Sequence, residues 1–276
     1  MNLNDIRNSY IADGYDILDA SSKSCQDIIL SKLAKSALSK NVTIKGGVII
    51  QHISKDNRRA TRDFDLDFIR YSLSEDAIRT FIDKLNEVND GVEIRIVAPI
   101  EELGHQEYNG KRLILELIDQ LSNRIGTKLD IGVHNRLDIE QEEYCFELDS
   151  IGENVVLLMN SKEQMFSEKL KSLLRLGRFS TRYKDLFDFY YFIAIAGLNK
   201  DKLVRYITEL IFRAEDMREA NLNDIHKRLN RIFQSRAYIE KAGTARNNWL
   251  GVPIGDVTER IVSFFSEDLA SYNDFK

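Results

Sequence analysis

The sequence contains few of the residues that stabilise small extracellular or metal-dependent folds. Among its 276 residues are two cysteines, two prolines and four histidines. Cys25 and Cys145 are far apart, and neither has a second cysteine or a histidine at metal-ligand spacing. This excludes a disulfide framework and a zinc knuckle. Because proline is rare and no Ser/Gly-rich linker occurs, any domain boundary must be compact.

Long apolar runs are also absent. No stretch of about 18 uncharged apolar residues occurs, which is the length that a membrane-spanning helix needs. Residues 1–7 lack the basic start and apolar centre of a signal peptide. Together with the low cysteine content, these absences predict a soluble, cytoplasmic protein without a membrane segment.

The charge balance is mildly acidic, with 39 basic and 44 acidic side chains and a net charge of −5. This excludes a histone-like or ribosomal type of basic nucleic-acid binder. Residues 161–200 are net basic, since they contain eight basic and four acidic side chains. Such a segment either attracts phosphates locally or is a solvated helix face, and charge alone favours neither.

The spacing of the apolar residues changes near residue 160. Residues 16–38 show helical spacing, with Ser21 and Ser22 as local caps or a break. Helices are also predicted after Gly47 and over 75–88. Alternating apolar residues predict six strands, at 42–44, 64–68, 92–97, 113–118, 129–133 and 155–158.

Beyond residue 160 the apolar residues follow helical spacing only, and Ser161 with Gln164 matches a capping box. We therefore predict an α+β fold with two domains. Residues 1–160 form a mixed sheet flanked by helices, and residues 161–276 form a C-terminal helical bundle. The 43% hydrophobic content is sufficient for such a core.

The first candidate site is an acidic strand. In Asp63-Phe64-Asp65-Leu66-Asp67-Phe68 the period of two places the three aspartates on one face and the apolar residues on the other. Carboxylates at this spacing repel each other unless water or a divalent cation separates them, and Mg²⁺ is commonly held in this way. An edge strand with a solvated acidic face would have the same pattern.

A glycine pair lies upstream of the acidic strand. Gly46-Gly47 joins the end of a predicted strand to a predicted helix. Glycines let the backbone approach a triphosphate, and the N–H groups at a helix start bind anion oxygens. A lone pair of this kind is usually an ordinary turn, but next to an Asp-x-Asp strand it predicts a phosphate site beside a metal site.

A third carboxylate is needed if two metal ions are to bind both the attacking and the leaving oxygens. Asp130 is the candidate, because Leu129 and Ile131 share the opposite face of its strand. Glu116 and Asp119 lie in a similar segment and are its competitors.

These motifs together resemble a known family. Gly46-Gly47 followed by Arg59-Ala60-Thr61-Arg62-Asp63-Phe64-Asp65 is similar to the "GG … R-x-S/T-x-D-h-D" signature of the nucleotidyltransferase AbiEii/AbiGii toxin family, within the DNA polymerase β-like superfamily. Residues 168–174 and 182–188 resemble the family's "E-K-L … R-D-L-Y-D" element. The chain departs from the family at Val48, where many members have Ser or Thr, and at Lys184, which replaces an arginine.

The resemblance implies a nucleotidyltransferase fold and a role for each matching residue. Asp63, Asp65 and Asp130 would be the catalytic, metal-binding carboxylates. The implied nucleotide-binding residues are Gly46, Gly47, Arg59, Thr61, Lys169, Arg182, Asp185 and Asp188. Of these, the two glycines and Lys169 would contact phosphate, Arg59 and Thr61 would brace the acidic strand, and Arg182 would substitute for the missing arginine. Lys169, Asp185 and Asp188 would equally form a salt-bridge network with no ligand.

The implied activity is Mg²⁺-dependent transfer of an NMP from an NTP to an acceptor hydroxyl. The resemblance further implies the toxin of a bacterial toxin–antitoxin or abortive-infection pair, with RNA, specifically tRNA, as acceptor and a cognate antitoxin as protein partner. The acidic N-terminal half would suit a cationic small-molecule acceptor such as an aminoglycoside, whereas residues 161–200 favour RNA. A third interpretation is a non-catalytic nucleotide- or partner-binding protein.

The basic segment contains two further patterns. Lys171, Arg175, Arg178 and Arg182 would form a basic stripe on a continuous helix, but Gly177 is predicted to break it. Four aromatic residues at helical spacing are expected in the core, namely Tyr183, Tyr190, Tyr191 and Phe192. Trp249 could be a surface anchor for a partner, and the sequence leaves its role open.

Overall fold

A computed structural model describes residues 1–104, 110–134 and 139–272 of the chain. The chain divides into two compact units, Met1–Asn160 and Ser161–Lys276. No helix in the described ranges is both long and apolar enough to cross a membrane. Unit 1 is a mixed sheet flanked by helices and unit 2 is helical, which confirms the predicted α+β class.

Unit 1 is built on one mixed sheet with the strand order β3-β5-β6-β2-β1-β8-β7, and β4 pairs with β5. The strands are β1 (Val42–Lys45), β2 (Asp63–Phe68), β3 (Val92–Ile96), β4 (Glu101–Leu103), β5 (Gly110–Asp119), β6 (Arg124–Val133), β7 (Glu142–Leu148) and β8 (Glu153–Met159). Strand β2 runs antiparallel to β1 and parallel to β6. The acidic strand is therefore central in the sheet, which rules out the alternative of a solvated edge strand.

The helices of unit 1 are α1 (Leu3–Ala12), α2 (Ile17–Lys35), α3 (Gly47–Ser54) and α4 (Glu75–Asn86). Helix α2 begins at its cap Asp16 and continues through Ser21 and Ser22 without a break. It packs against β6 and β8. On the same side of the sheet, Phe68 packs against Phe81 of α4, with the ring centroids 5.0 Å apart. The apolar face of the sheet is thus covered by helices.

Unit 2 has no strand among its described residues 161–272. Its helices are α5 (Lys162–Leu176), α6 (Lys184–Tyr191), α7 (Lys200–Ile207), α8 (Leu222–Phe233), α9 (Arg236–Ala242) and α10 (Ile254–Ser263). At the start of α5 the Ser161 hydroxyl accepts a hydrogen bond from the Gln164 amide at 3.2 Å, as the capping box predicts. Gly177 ends α5 with a φ of +57°, which confirms the predicted break.

The core of unit 2 is aromatic. Phe166 on α5 packs edge-on against Phe189 of α6, with the centroids 4.8 Å apart, and lies near Phe264. Tyr191 and Phe192 are buried, as expected. Tyr183 and Tyr190 are only half-buried.

Candidate active site

The glycine pair lies directly against the acidic strand. Gly46 has a φ of +74° and precedes α3, which begins at Gly47. A Cβ atom at Gly46 would lie 2.5 Å from Asp65 Oδ2, and one at Gly47 would lie 2.7 Å from Thr61 Oγ1. A residue with a side chain could not occupy either position without displacing the Asp65 carboxylate or Thr61. Gly46 has no side chain with which to cap α3, and the N–H groups at the start of a helix bind anions.

Strand β2 places its aspartates as the alternation predicts. Phe64, Leu66 and Phe68 are fully buried on the helix-covered face. Asp63 is exposed and Asp65 half-buried on the opposite face of the sheet, which is also the side of Asp67.

Asp130 lies beside Asp65. The two residues are direct partners in the parallel pairing of β2 with β6, so their side chains emerge on the same face. The competitors have other partners at the far end of β5. Asp119 accepts a hydrogen bond from the Leu3 amide at 2.9 Å, and Glu116 pairs with Arg124 at 3.0 Å.

A row of four charged residues crosses this face of the sheet. The strand registers place Lys45 beside Asp65, Asp65 beside Asp130, and Asp130 beside Arg112. Arg112 donates from Nε to Asp130 Oδ1 at 2.8 Å and from a terminal nitrogen to Oδ2 at 2.7 Å. These hydrogen bonds hold the pKa of Arg112 above its usual range, with Asp63 and Glu101 adding to the effect.

Asp67 and Asp63, the other two aspartates of β2, also form ion pairs with basic side chains. Lys45 Nζ lies 2.5 Å from Asp67 Oδ1, and Lys128 Nζ lies 2.9 Å from Asp63 Oδ1. Sequence reasoning missed the parts played by Lys45 and Arg112. The position of Lys45 directly before the glycine pair is a usable signal, whereas nothing local marks Arg112.

The fit to a divalent cation can be judged from these contacts. Carboxylate oxygens are the ligands that Mg²⁺ prefers, and one or two of them with substrate phosphates usually suffice. Asp63 and Asp65 could supply these one or two carboxylates, because they lie on the same face of the sheet beside the glycine turn. In the described ranges, however, no three Asp, Glu, His or Cys side chains are gathered as a metal site. The hydrogen bonds to Arg112 engage the third predicted ligand, Asp130. The residues therefore suit a cation that arrives with a nucleotide rather than a preformed three-carboxylate centre.

Arg59 and Thr61 precede the acidic strand. Arg59 is buried at the end of a short 3-10 turn. The Thr61 carbonyl accepts a hydrogen bond from Gln26 Nε2 of α2 at 2.9 Å, while its side chain faces Gly47. Thr61 thus links α2 and the glycine turn to the start of β2.

The predicted residues of unit 2 form an ionic network that is buried except at Arg182. Lys169 on α5 lies 2.5 Å from Asp185 and 3.1 Å from Asp188 on α6. Arg182 pairs with the other oxygen of Asp185 at 2.8 Å. Trp249 is 2% exposed and donates from Nε1 to Asp188 at 3.2 Å. The geometry is that of the salt-bridge network, and Trp249 belongs to the core rather than to a surface anchor.

The basic stripe does not extend along one helix. Lys171 and Arg175 pair with Asp216 at 3.2 and 3.1 Å, and Arg178 lies beyond the end of α5. The Arg178 guanidinium is 5.1 Å from the centroid of the Phe179 ring, and Phe179 is 77% exposed.

Comparison with known proteins places this geometry in context. The model of a family described as "Nucleotidyl transferase AbiEii toxin, Type IV TA system" matches residues 28–250. No curated protein matches the chain. Among solved structures, an antigenic nucleotidyltransferase-like protein from Paracoccidioides brasiliensis is similar, with 17% identity and a TM-score of 0.41 over 80% of this chain and 91% of that one.

Proposed function

Because the chain belongs to the AbiEii nucleotidyltransferase toxin family, we propose that it transfers an NMP from an NTP to an RNA hydroxyl, with Mg²⁺ as cofactor and tRNA as acceptor. The observation that supports this most is the packing of Gly46 and Gly47 against the strand of Asp65, with Asp130 as its neighbour. A phosphate-binding turn and a pair of carboxylates thereby share one face of the sheet.

Each element of this face has a task in the proposed reaction. The N–H groups that begin α3 bind the triphosphate, and Asp63 and Asp65 hold the cation. When bound, Mg²⁺ would lower the pKa of the acceptor hydroxyl and offset charge on the leaving pyrophosphate. The acceptor oxygen then bonds to the α-phosphorus, the α–β phosphoanhydride bond breaks, and the hydroxyl proton passes to solvent. Arg59 and Thr61 keep β2 in position.

Four residues of unit 2 match the family pattern and are proposed as nucleotide-binding residues, namely Lys169, Arg182, Asp185 and Asp188. Arg182 is the most accessible of them, with 54% of its side chain exposed. Lys169, Asp185 and Asp188 would hold the α5–α6 pair in register and thereby position Arg182.

An RNA acceptor is favoured by the exposed pair of Arg178 and Phe179. An exposed aromatic ring with a guanidinium against it is the arrangement on which unpaired bases stack. The pair lies in the net-basic segment 161–200, which adds attraction for the phosphate backbone. The type IV toxin–antitoxin family also supports a cognate antitoxin as protein partner, and we propose that the pair acts in the bacterial cytoplasm.

The reaction is tested by label transfer. Each of the four α-labelled NTPs is incubated with Mg²⁺, total bacterial tRNA and either wild type, Asp65→Asn or Asp83→Asn. Asp83 is an exposed aspartate on α4 and serves as the matched control. We expect label on tRNA with wild type and Asp83→Asn, and a loss of about a hundredfold or more with Asp65→Asn.

Three outcomes would contradict this proposal. Transfer that persists in Asp65→Asn would exclude the acidic strand as the catalytic element. Label on an added aminoglycoside instead of tRNA would indicate a small-molecule acceptor. NTP binding without transfer to either acceptor would indicate a binding protein.

A further inference from the structure

The ion pair of Arg112 with Asp130 has a better-defined geometry than surface ion pairs usually have. Both guanidinium hydrogen bonds are short, and they engage both carboxylate oxygens. Asp130 is mostly buried, with 11% of its side chain exposed, whereas 33% of the Arg112 side chain remains exposed. Two-point pairing of this kind fixes geometry as well as charge.

The pairing has a direct consequence for cation binding. A divalent cation on Asp130 would lie close to the positive charge of Arg112, and the two would repel each other. Asp130 therefore becomes a good cation ligand only when the guanidinium has another anionic partner. A triphosphate is such a partner, because phosphate oxygens match the planar guanidinium in the same two-point manner.

We propose that the Arg112 guanidinium is hydrogen-bonded to Asp130 in the nucleotide-free protein. When a nucleotide binds, the guanidinium pairs with the triphosphate instead, and Asp130 becomes available to the cation. This inference rests on the proposed function, since it assumes a nucleotide on this face. It assigns Arg112 as a nucleotide-binding residue that also controls when the third carboxylate is available. Nucleotide and cation then favour each other's binding through one side chain.

The two ligands can be measured separately. Binding of Mn²⁺ to the nucleotide-free protein is followed by electron paramagnetic resonance, and binding of an NTP in EDTA is followed by calorimetry. In Arg112→Gln we expect Mn²⁺ to bind about tenfold more tightly and the NTP about tenfold more weakly. A variant that only disturbs the fold would weaken both ligands.

Further variants sharpen the test. Arg112→Lys keeps the charge but cannot bridge both oxygens, so both affinities should lie between those of wild type and Arg112→Gln. In the Arg112→Gln background, Asp130→Asn should abolish the gain in Mn²⁺ affinity, and Asp130→Asn alone should not weaken NTP binding in EDTA. Arg124→Ala removes an arginine that pairs with Glu116 at the other end of the same two strands, and it should change neither affinity.

The proposal is overturned if Arg112→Gln leaves Mn²⁺ affinity unchanged, or if it shifts both affinities in the same direction. Circular dichroism at each condition checks that the variants are folded, and Arg112→Lys replaces Arg112→Gln if the latter is not. Failure here is distinct from failure of the proposed function. If Asp65→Asn abolishes label transfer while the Arg112 variants do not separate the two ligands, only the role of Arg112 is wrong.

Discussion

Gly46 and Asp65 approach each other so closely that a methyl group at residue 46 would lie 2.5 Å from Asp65 Oδ2. Gly46 also has a φ of +74°, a conformation that residues with a Cβ rarely adopt. The glycine turn and the acidic strand therefore form one rigid arrangement. A change in either element displaces the other.

Gly46→Ala should consequently lose both stability and activity. The backbone conformation alone, with φ +74° and ψ −146°, costs a residue with a Cβ about 1–3 kcal/mol, and the contact with Asp65 adds to that cost and moves the carboxylate. Gly197→Ala is the matched control, because Gly197 has a similar backbone conformation, with φ +70° and ψ +146°, but no atom within 4 Å of its would-be Cβ. Urea denaturation and label transfer measure the two effects. Equal losses in both variants would show that the contact with Asp65 is irrelevant.

Lys169→Met should destabilise the protein strongly. It leaves Asp185 and Asp188 without their buried ammonium partner, and Asp188 is fully buried. Removing one partner of a buried ion pair typically costs about 3–5 kcal/mol. Lys171→Met, two residues further along α5, removes a pair with the more exposed Asp216 and should cost about 1 kcal/mol or less. Similar unfolding free energies for the two variants would contradict the buried network.

The Trp249→Phe variant should measure how much the hydrogen bond of Trp249 contributes to stability, separately from the packing of its ring. The smaller ring still packs against Tyr191, whose centroid lies 5.4 Å from that of Trp249. The donor to Asp188 is lost, and a hydrogen bond to a charged group contributes about 1.5–3 kcal/mol. In an Asp188→Asn background the same substitution should cost less, because the acceptor is no longer charged. A cost that is the same in both backgrounds would mean that the bond contributes nothing.

The stability of the fold should depend on pH through His52. Burial and the neighbouring Lys23 ammonium, 3.1 Å from Nε2, lower the pKa of His52 to about 2, with Asp27 3.7 Å from the same nitrogen. In the unfolded chain the imidazole takes up a proton near pH 6.5. The unfolded state therefore binds more protons below that pH, and the free energy of unfolding should decrease by about 1.4 kcal/mol per pH unit as the pH is lowered.

Urea denaturation between about pH 7 and pH 5 measures this slope. His52→Gln removes the titrating group, so its unfolding free energy should be less dependent on pH than that of wild type by the same amount. Lys23 and Asp27 remain in both proteins, and the difference between the two slopes isolates the imidazole. Identical slopes would show that His52 does not titrate on unfolding.

The alternation of buried and exposed residues in β2 could be predicted from the sequence because it depends on local spacing alone. Apolar Phe64, Leu66 and Phe68 identify the buried face, and the aspartates between them must then lie on the other. The same reasoning placed Asp130 on one face of β6. The sequence could not predict that Asp65 and Asp130 are neighbours, because this depends on which strands pair and in which register.

The elements that the sequence did not predict have weaker local patterns. Strand β7 has glutamates at 142, 143 and 147 and lies at the edge of the sheet. Strand β4 has only three residues. Helix α1 could have been found, since Leu3, Ile6 and Tyr10 have helical spacing and Asn2 caps the first turn. Arg112 is identified only by its position opposite Asp130.

The row from Lys45 to Arg112 has a positive charge at each end and two carboxylates between them. By backbone position it is a linear quadrupole, with neither net charge nor net dipole. The field of such an arrangement decreases with distance faster than that of a single ion, and salt shortens its range further. Free cations and free anions are therefore hardly drawn to this row from afar. A nucleotide with its cation brings both signs at contact distance, so it can exchange partners with the basic residues and the carboxylates of the row together.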